Sequence, residues 1–125
     1  MADTGVVVND GIAHVISAVV TAGVAKFIGW GTGATTATAS NTALGSETAT
    51  IRCTGTMTIQ TSNSTSDTLQ VTGLMTATAA YTISEVGLFN SSTSGIMTLR
   101  VTFTSIALNA SDSIAWTIKA IADQA

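Results

Sequence analysis

The feature that most constrains this chain is a run of segments in which apolar and hydroxylated residues alternate with a period of two. Met97, Leu99, Val101 and Phe103 alternate with Thr98, Arg100, Thr102 and Thr104, and Ile114, Trp116, Ile118 and Ala120 alternate with Ala115, Thr117, Lys119 and Ile121. Successive strand residues point to opposite faces, so this pattern specifies strands with one apolar and one wetter face. Odd positions Ile51, Cys53, Met57 and Ile59 repeat it against Thr50, Arg52, Thr54, Thr56, Thr58 and Gln60. Leu69, Val71 and Met75 continue it after the polar turn Thr61–Asp67, which predicts a hairpin. Tyr81 to Phe89 forms a further apolar segment, with a phase shift around Glu85-Val86-Gly87 that predicts a bulge. About one residue in five is threonine, whose β-branched side chain suits a pleated surface.

One segment breaks the pattern. Ile12, Val15, Ile16, Val19 and Val20 fall at helical spacing between Asn9 and Ala22, with Asn9 and Asp10 as N-cap candidates. Val24–Trp30 then predicts a strand entering the Gly31-Thr32-Gly33 turn, where glycines would permit positive φ. The expected fold is mainly β, an antiparallel β-sandwich or jelly-roll-like domain with one short N-terminal helix. Residues 1–8 are expected to form an N-terminal arm, apolar at Val6, Val7 and Val8, and residues 9–125 a single β-rich domain.

Charge narrows the function classes. The net charge of −3 and the scatter of Lys26, Arg52, Arg100 and Lys119 give no basic footprint, so no nucleic acid is expected. No apolar stretch reaches membrane-spanning length, and no membrane partner is expected. Only 9% of residues are charged, a surface that does little to discourage association with like copies or another protein.

Catalytic, cofactor-binding and metal-ligating residues are expected to be none. His14 is the lone histidine and has no Cys, Asp or Glu cluster at ligand spacing. Gly29-Trp30-Gly31-Thr32-Gly33-Ala34 has the third glycine at the wrong interval for a dinucleotide loop. Cys53, the only cysteine, reads as a small core residue, and Asn63, Asn90 and Asn109 read as turn asparagines. Trp116 is assigned to the core, whereas Trp30 beside the turn is a candidate stacking platform for a glycan. Among the rare charges, Glu85 is expected to pair with Arg100 or Arg52 across strands, either fixing register or a subunit edge or lying as a solvated surface pair.

Two stretches carry a family resemblance. Asn9-Asp10-Gly11-Ile12-Ala13, Phe27-Ile28-Gly29-Trp30-Gly31-Thr32-Gly33 and Asn41 to Glu47 resemble the opening of small tailed-bacteriophage virion proteins, including a "taL..E...R" element met by Thr42, Ala43, Leu44, Glu47 and Arg52. Ile83-Ser84-Glu85-Val86-Gly87-Leu88-Phe89-Asn90 looks like their "EvGLF" element, and Leu99–Phe103 and Asp112–Ile118 look like their closing strands. The resemblance implies a non-enzymatic virion structural protein, with a head decoration (cement) subunit favoured. Such a subunit would be made in the host cytoplasm, sit on the outer capsid surface between capsomers, bind the major capsid protein and itself as a homotrimer, and stabilise the shell. A tail or baseplate/tail-fibre attachment module is the alternative, and a carbohydrate-binding β-sandwich a further one. Interface candidates are Val6, Val7, Val8, Trp30, Arg52, Glu85 and Arg100.

Overall fold

A computed structural model of the protein describes residues 5–123; Met1–Thr4 of the expected arm, and residues 124–125, lie outside them. The helix α1 spans Asn9–Ala22 as the spacing predicts, but its N-cap is Val8, without a side-chain cap, in place of Asn9 or Asp10. Asp10 instead lies in the first turn, where a carboxylate complements the positive end of the helix dipole. Gly23 ends the helix at φ 67°, donating its N–H to the Val19 and Val20 carbonyls. Val19 and Val20 do not break it, because both pack against a core into which Ile16 is buried, and packing outweighs their weak helix propensity.

Seven strands follow among the described residues: β1 Phe27–Gly31, β2 Cys53–Thr54, β3 Thr56–Gln60, β4 Thr68–Thr76, β5 Tyr81–Phe89, β6 Met97–Leu108 and β7 Ser113–Ile121. They form two antiparallel sheets, ordered β2-β1-β5-β6 and β3-β4-β7, which pack face to face as a β-sandwich. The expected single strand from Ile51 to Gln60 is two strands in different sheets. Gly55 makes the corner: its N–H donates to the Lys26 carbonyl at 2.6 Å, and an added Cβ would lie 2.7 Å from Val71 Cγ1. Ile51 precedes both strands and is exposed, not inward as the alternation predicts.

Ile28, Trp30, Val86 and Leu88 from one sheet meet Leu69, Val71, Met75 and Ile118 from the other. Each such fully buried side chain contributes about 1.5–3 kcal/mol of transfer free energy. Trp30 meets Trp116 edge-on at 6.4 Å between ring centroids, and Phe103 lies 5.8 Å from Trp116. Cys53 packs half-buried against this core, and burial pushes its thiol pKa up. The bulge in β5–β6 lies between Ile83 and Glu85, slightly earlier than the phase shift suggests, with a second register shift between Leu88 and Phe89.

The Thr61–Asp67 turn is organised by one side chain. Asp67 is fully buried, and its carboxylate accepts the backbone N–H groups of Ser62, Asn63 and Ser64 and the Thr68 hydroxyl. Burial opposes ionisation, but these donors outweigh it and hold the carboxyl well below the usual carboxylate range. Asp67→Ala is expected to free all three N–H groups, so amide hydrogen exchange at Ser62–Ser64 should accelerate strongly while α1 keeps its protection.

Candidate functional site

The conspicuous arrangement of chemistry lies on the outward face of the four-stranded sheet. In β1, Ile28 and Trp30 point inward, so Gly29 and Gly31 face out; in β5, Val86 and Leu88 point inward, so Glu85, Gly87 and Phe89 face out. The register Gly29↔Gly87 and Gly31↔Glu85 sets these residues side by side. The segment from Thr32 to Arg52 folds back over this face, and the glycines provide its seat. A Cβ on Gly29 would lie 2.9 Å from Glu47 Oε2, one on Gly33 2.6 Å from Glu85 Oε2, and one on Gly87 3.1 Å from Leu44 Cδ2.

None of Gly29, Gly31 and Gly33 has positive φ; among the described glycines that conformation belongs to Gly23 and Gly95. The expected reason for glycine at the Gly-Thr-Gly turn is therefore corrected. These positions need the absence of a side chain, not a left-handed backbone.

Glu85, 0% exposed, is the centre of the arrangement. Its Oε2 accepts the N–H groups of Gly33 at 2.9 Å and Ser46 at 2.8 Å; its Oε1 accepts Gly45 N–H at 2.8 Å and Arg100 Nε at 2.9 Å. Arg100 reaches onward, donating through Nη1 to Asn41 Oδ1 at 3.0 Å and through Nη2 to Thr35 Oγ1. Ser84 adds a hydroxyl bond to the Gly33 carbonyl at 2.7 Å. Desolvation alone would raise the Glu85 pKa, but the Ser46, Gly45 and Gly33 amides and then Arg100 lower it below its ordinary value.

A second pair closes the far end of the loop. Arg52 is bidentate to Glu47, with Nε–Oε2 at 2.7 Å and Nη2–Oε1 at 2.8 Å. Its guanidinium stacks 3.5 Å from the Phe89 ring centroid and donates to the Ser91 and Ser94 carbonyls. Of the two partners expected for Glu85, the structure selects Arg100, and Arg52 belongs to Glu47.

The motif residues thus converge: Leu44, Glu47, Arg52, Glu85, Gly87 and Phe89 form one clasp between a loop and a sheet. What the alternation does not reveal is the backbone half of this site, the amides of Gly33, Gly45 and Ser46, nor Asn41 and Thr35. The spacing Glu-x-Gly-x-Phe was the available signal, since it places a carboxylate, a gap and an aromatic ring on one face. Chemically, the centre of the clasp is closed: the two Glu85 oxygens accept four donors between them.

Of the other interface candidates, Val6, Val7 and Val8 are exposed ahead of α1. Trp30 is not available to a partner or a glycan; it is 1% exposed, in the core. Its indole N–H and that of Trp116 are both buried without a hydrogen-bond acceptor among the described residues. Among the described residues no group of three His, Cys, Asp or Glu side chains is placed to hold a metal ion, and no helix is long and apolar enough to cross a membrane. No family model matches the chain, nor does any curated protein or solved structure.

Proposed function

We propose that this protein is a structural subunit of a tailed-phage particle, a decoration protein that binds the outer head surface between capsomers. The observation that carries the reading is how the scarce charges are used. Glu47, Arg52, Glu85 and Arg100 are joined in the clasp and Asp67 is buried in its turn, so five of the eleven charged residues, three acidic and two basic, are engaged in holding the fold. The remaining surface is hydroxyl-rich and exposes Val6, Val7, Val8, Val15, Ile51, Leu74 and Ile96, side chains suited to contact with protein. The resemblance to small virion proteins rests on the very residues that build the clasp, which supports reading those motifs as an architectural element. No catalytic step follows from it.

In this reading the rigid sandwich presents loop Thr32–Glu47 and the strand edges to neighbours. Partners are the major capsid protein and further copies of the chain, as a homotrimer. Purified protein mixed with decoration-free heads is expected to co-sediment to saturation and to appear as density between capsomers in electron micrographs. Heads that stay bare, or label found on tails alone, would overturn the proposal; the second result would favour a tail attachment module.

A further inference from the structure

The longest strand among the described residues, β6, forms the margin of its sheet, with β5 along one side and no strand of the described chain along the other. Exposed edges are normally guarded by Lys, Pro or a charge aimed at the incoming strand. β6 contains neither Lys nor Pro, and its single charged side chain, Arg100, is turned onto Glu85. Val101 and Ile106 on this strand are 39% and 41% exposed. The bulge near Ser84 interrupts the strand, yet Leu99–Thr102 stays in unbroken register with Glu85–Leu88, leaving a regular edge for pairing.

The same chain carries an element that matches this edge. Gly5-Val6-Val7-Val8 is uncharged, belongs to neither sheet, and is extended at Val8, with φ −76° and ψ 163°. Val6, Val7 and Val8 are 85%, 65% and 64% exposed. Three successive β-branched residues favour the pleated conformation that strand pairing provides.

We infer that the Gly5–Val8 arm of one copy adds as a strand to the free edge of β6 on the next copy. A second copy is the occupant the charges favour, because neither element bears a free charge and like copies meet without repulsion or an unmatched ion. Donor and acceptor on one chain make a head-to-tail contact, which closes into a ring when the rotation permits. The inference rests on the self-assembly in the reading above and is independent of head binding.

Disulfide trapping tests it on the full chain in a Cys53→Ala background. Val7→Cys combined with Val101→Cys, or with Ala107→Cys for the other half of β6, is expected to give reducible links between copies on oxidation. Val7→Cys with Thr36→Cys, on the exposed outer loop, is the control. Val7→Lys and Ile106→Lys, both at exposed positions, should each weaken self-association at least tenfold by light scattering, with unfolding temperature retained. Trapping no greater than the control, or a wild-type chain that stays monomeric, would overturn the inference, as would Val7→Lys abolishing head binding without changing self-association, which assigns the arm to the capsid. A chain that links through β6 but leaves heads bare keeps this inference and retires the virion reading; a chain that coats heads without trapping does the reverse.

Discussion

Glu85→Gln is expected to lower the melting temperature by about 10–20 °C. The substitution keeps the shape and removes the charge. Whichever way the new amide is turned, its NH2 group meets donors: Gly33 and Ser46 N–H on one side, Gly45 N–H and Arg100 Nε on the other. Arg100, whose side chain is 3% exposed, is left as a buried cation without its counter-ion. Breaking a buried pair by removing one partner costs about 3–5 kcal/mol. Glu47→Gln should cost less, because the Glu47 side chain is 31% exposed to water and Arg52, though 7% exposed, keeps the Ser91 and Ser94 carbonyls and the Phe89 ring. Calorimetry on the two variants decides it; equal losses would remove Glu85 from the centre of the clasp.

The same residue sets a pH dependence. Burial raises and the amide donors with Arg100 lower the Glu85 pKa, with a net value in the folded protein below the ordinary 4.5. A carboxyl depressed on folding contributes stability that is fully present above its ordinary value and is lost as pH falls through its folded one. The stability gap between wild type and Glu85→Gln should therefore be constant above about pH 5 and narrow at lower pH. Asp67 titrates with the same sign in both proteins, so it cancels from the difference.

The strands were legible because their determinant is local. Period-two alternation locates β3 to β7 and the helical spacing locates α1, since each reflects one apolar face meeting one core. The corner at Gly55 was not legible: alternation runs through it unbroken, and only the approach of Lys26 and Val71 from distant parts of the chain makes it a change of sheet. Trp30 shows the converse error. Beside a glycine turn it reads as exposed, but strand parity turns it inward against Trp116. The clasp was half legible, as a set of rare charges with several possible pairings. Its backbone amides have no sequence signature, because any residue supplies an N–H and the fold alone determines which ones converge.

Gly31→Ala tests whether the clasp requires an absent side chain. The backbone there has an ordinary φ, so alanine carries no conformational penalty and the outcome isolates steric contact. An added Cβ would collide with Glu85 Oε2 and lie 2.5 Å from the Ser46 carbonyl oxygen. Neither neighbour is the loose end of a flexible side chain: Glu85 is fixed by four donors, and the Ser46 carbonyl receives the Thr32 N–H. Overpacking of this kind costs about 3 kcal/mol, with the loop displaced instead of the core. The expected signature is a lowered melting temperature together with rapid exchange of the Gly33, Gly45 and Ser46 amides, while β4 and β7 stay protected. Gly5→Ala, where nothing lies within 4 Å of the added carbon, should leave stability unchanged. Because Gly31→Ala and Glu85→Gln disrupt one and the same set of bonds, the double variant should lose clearly less than the sum of the two single losses. Simple additivity would mean that the glycine and the carboxylate act independently, and that the loop is held to the sheet by something other than Glu85.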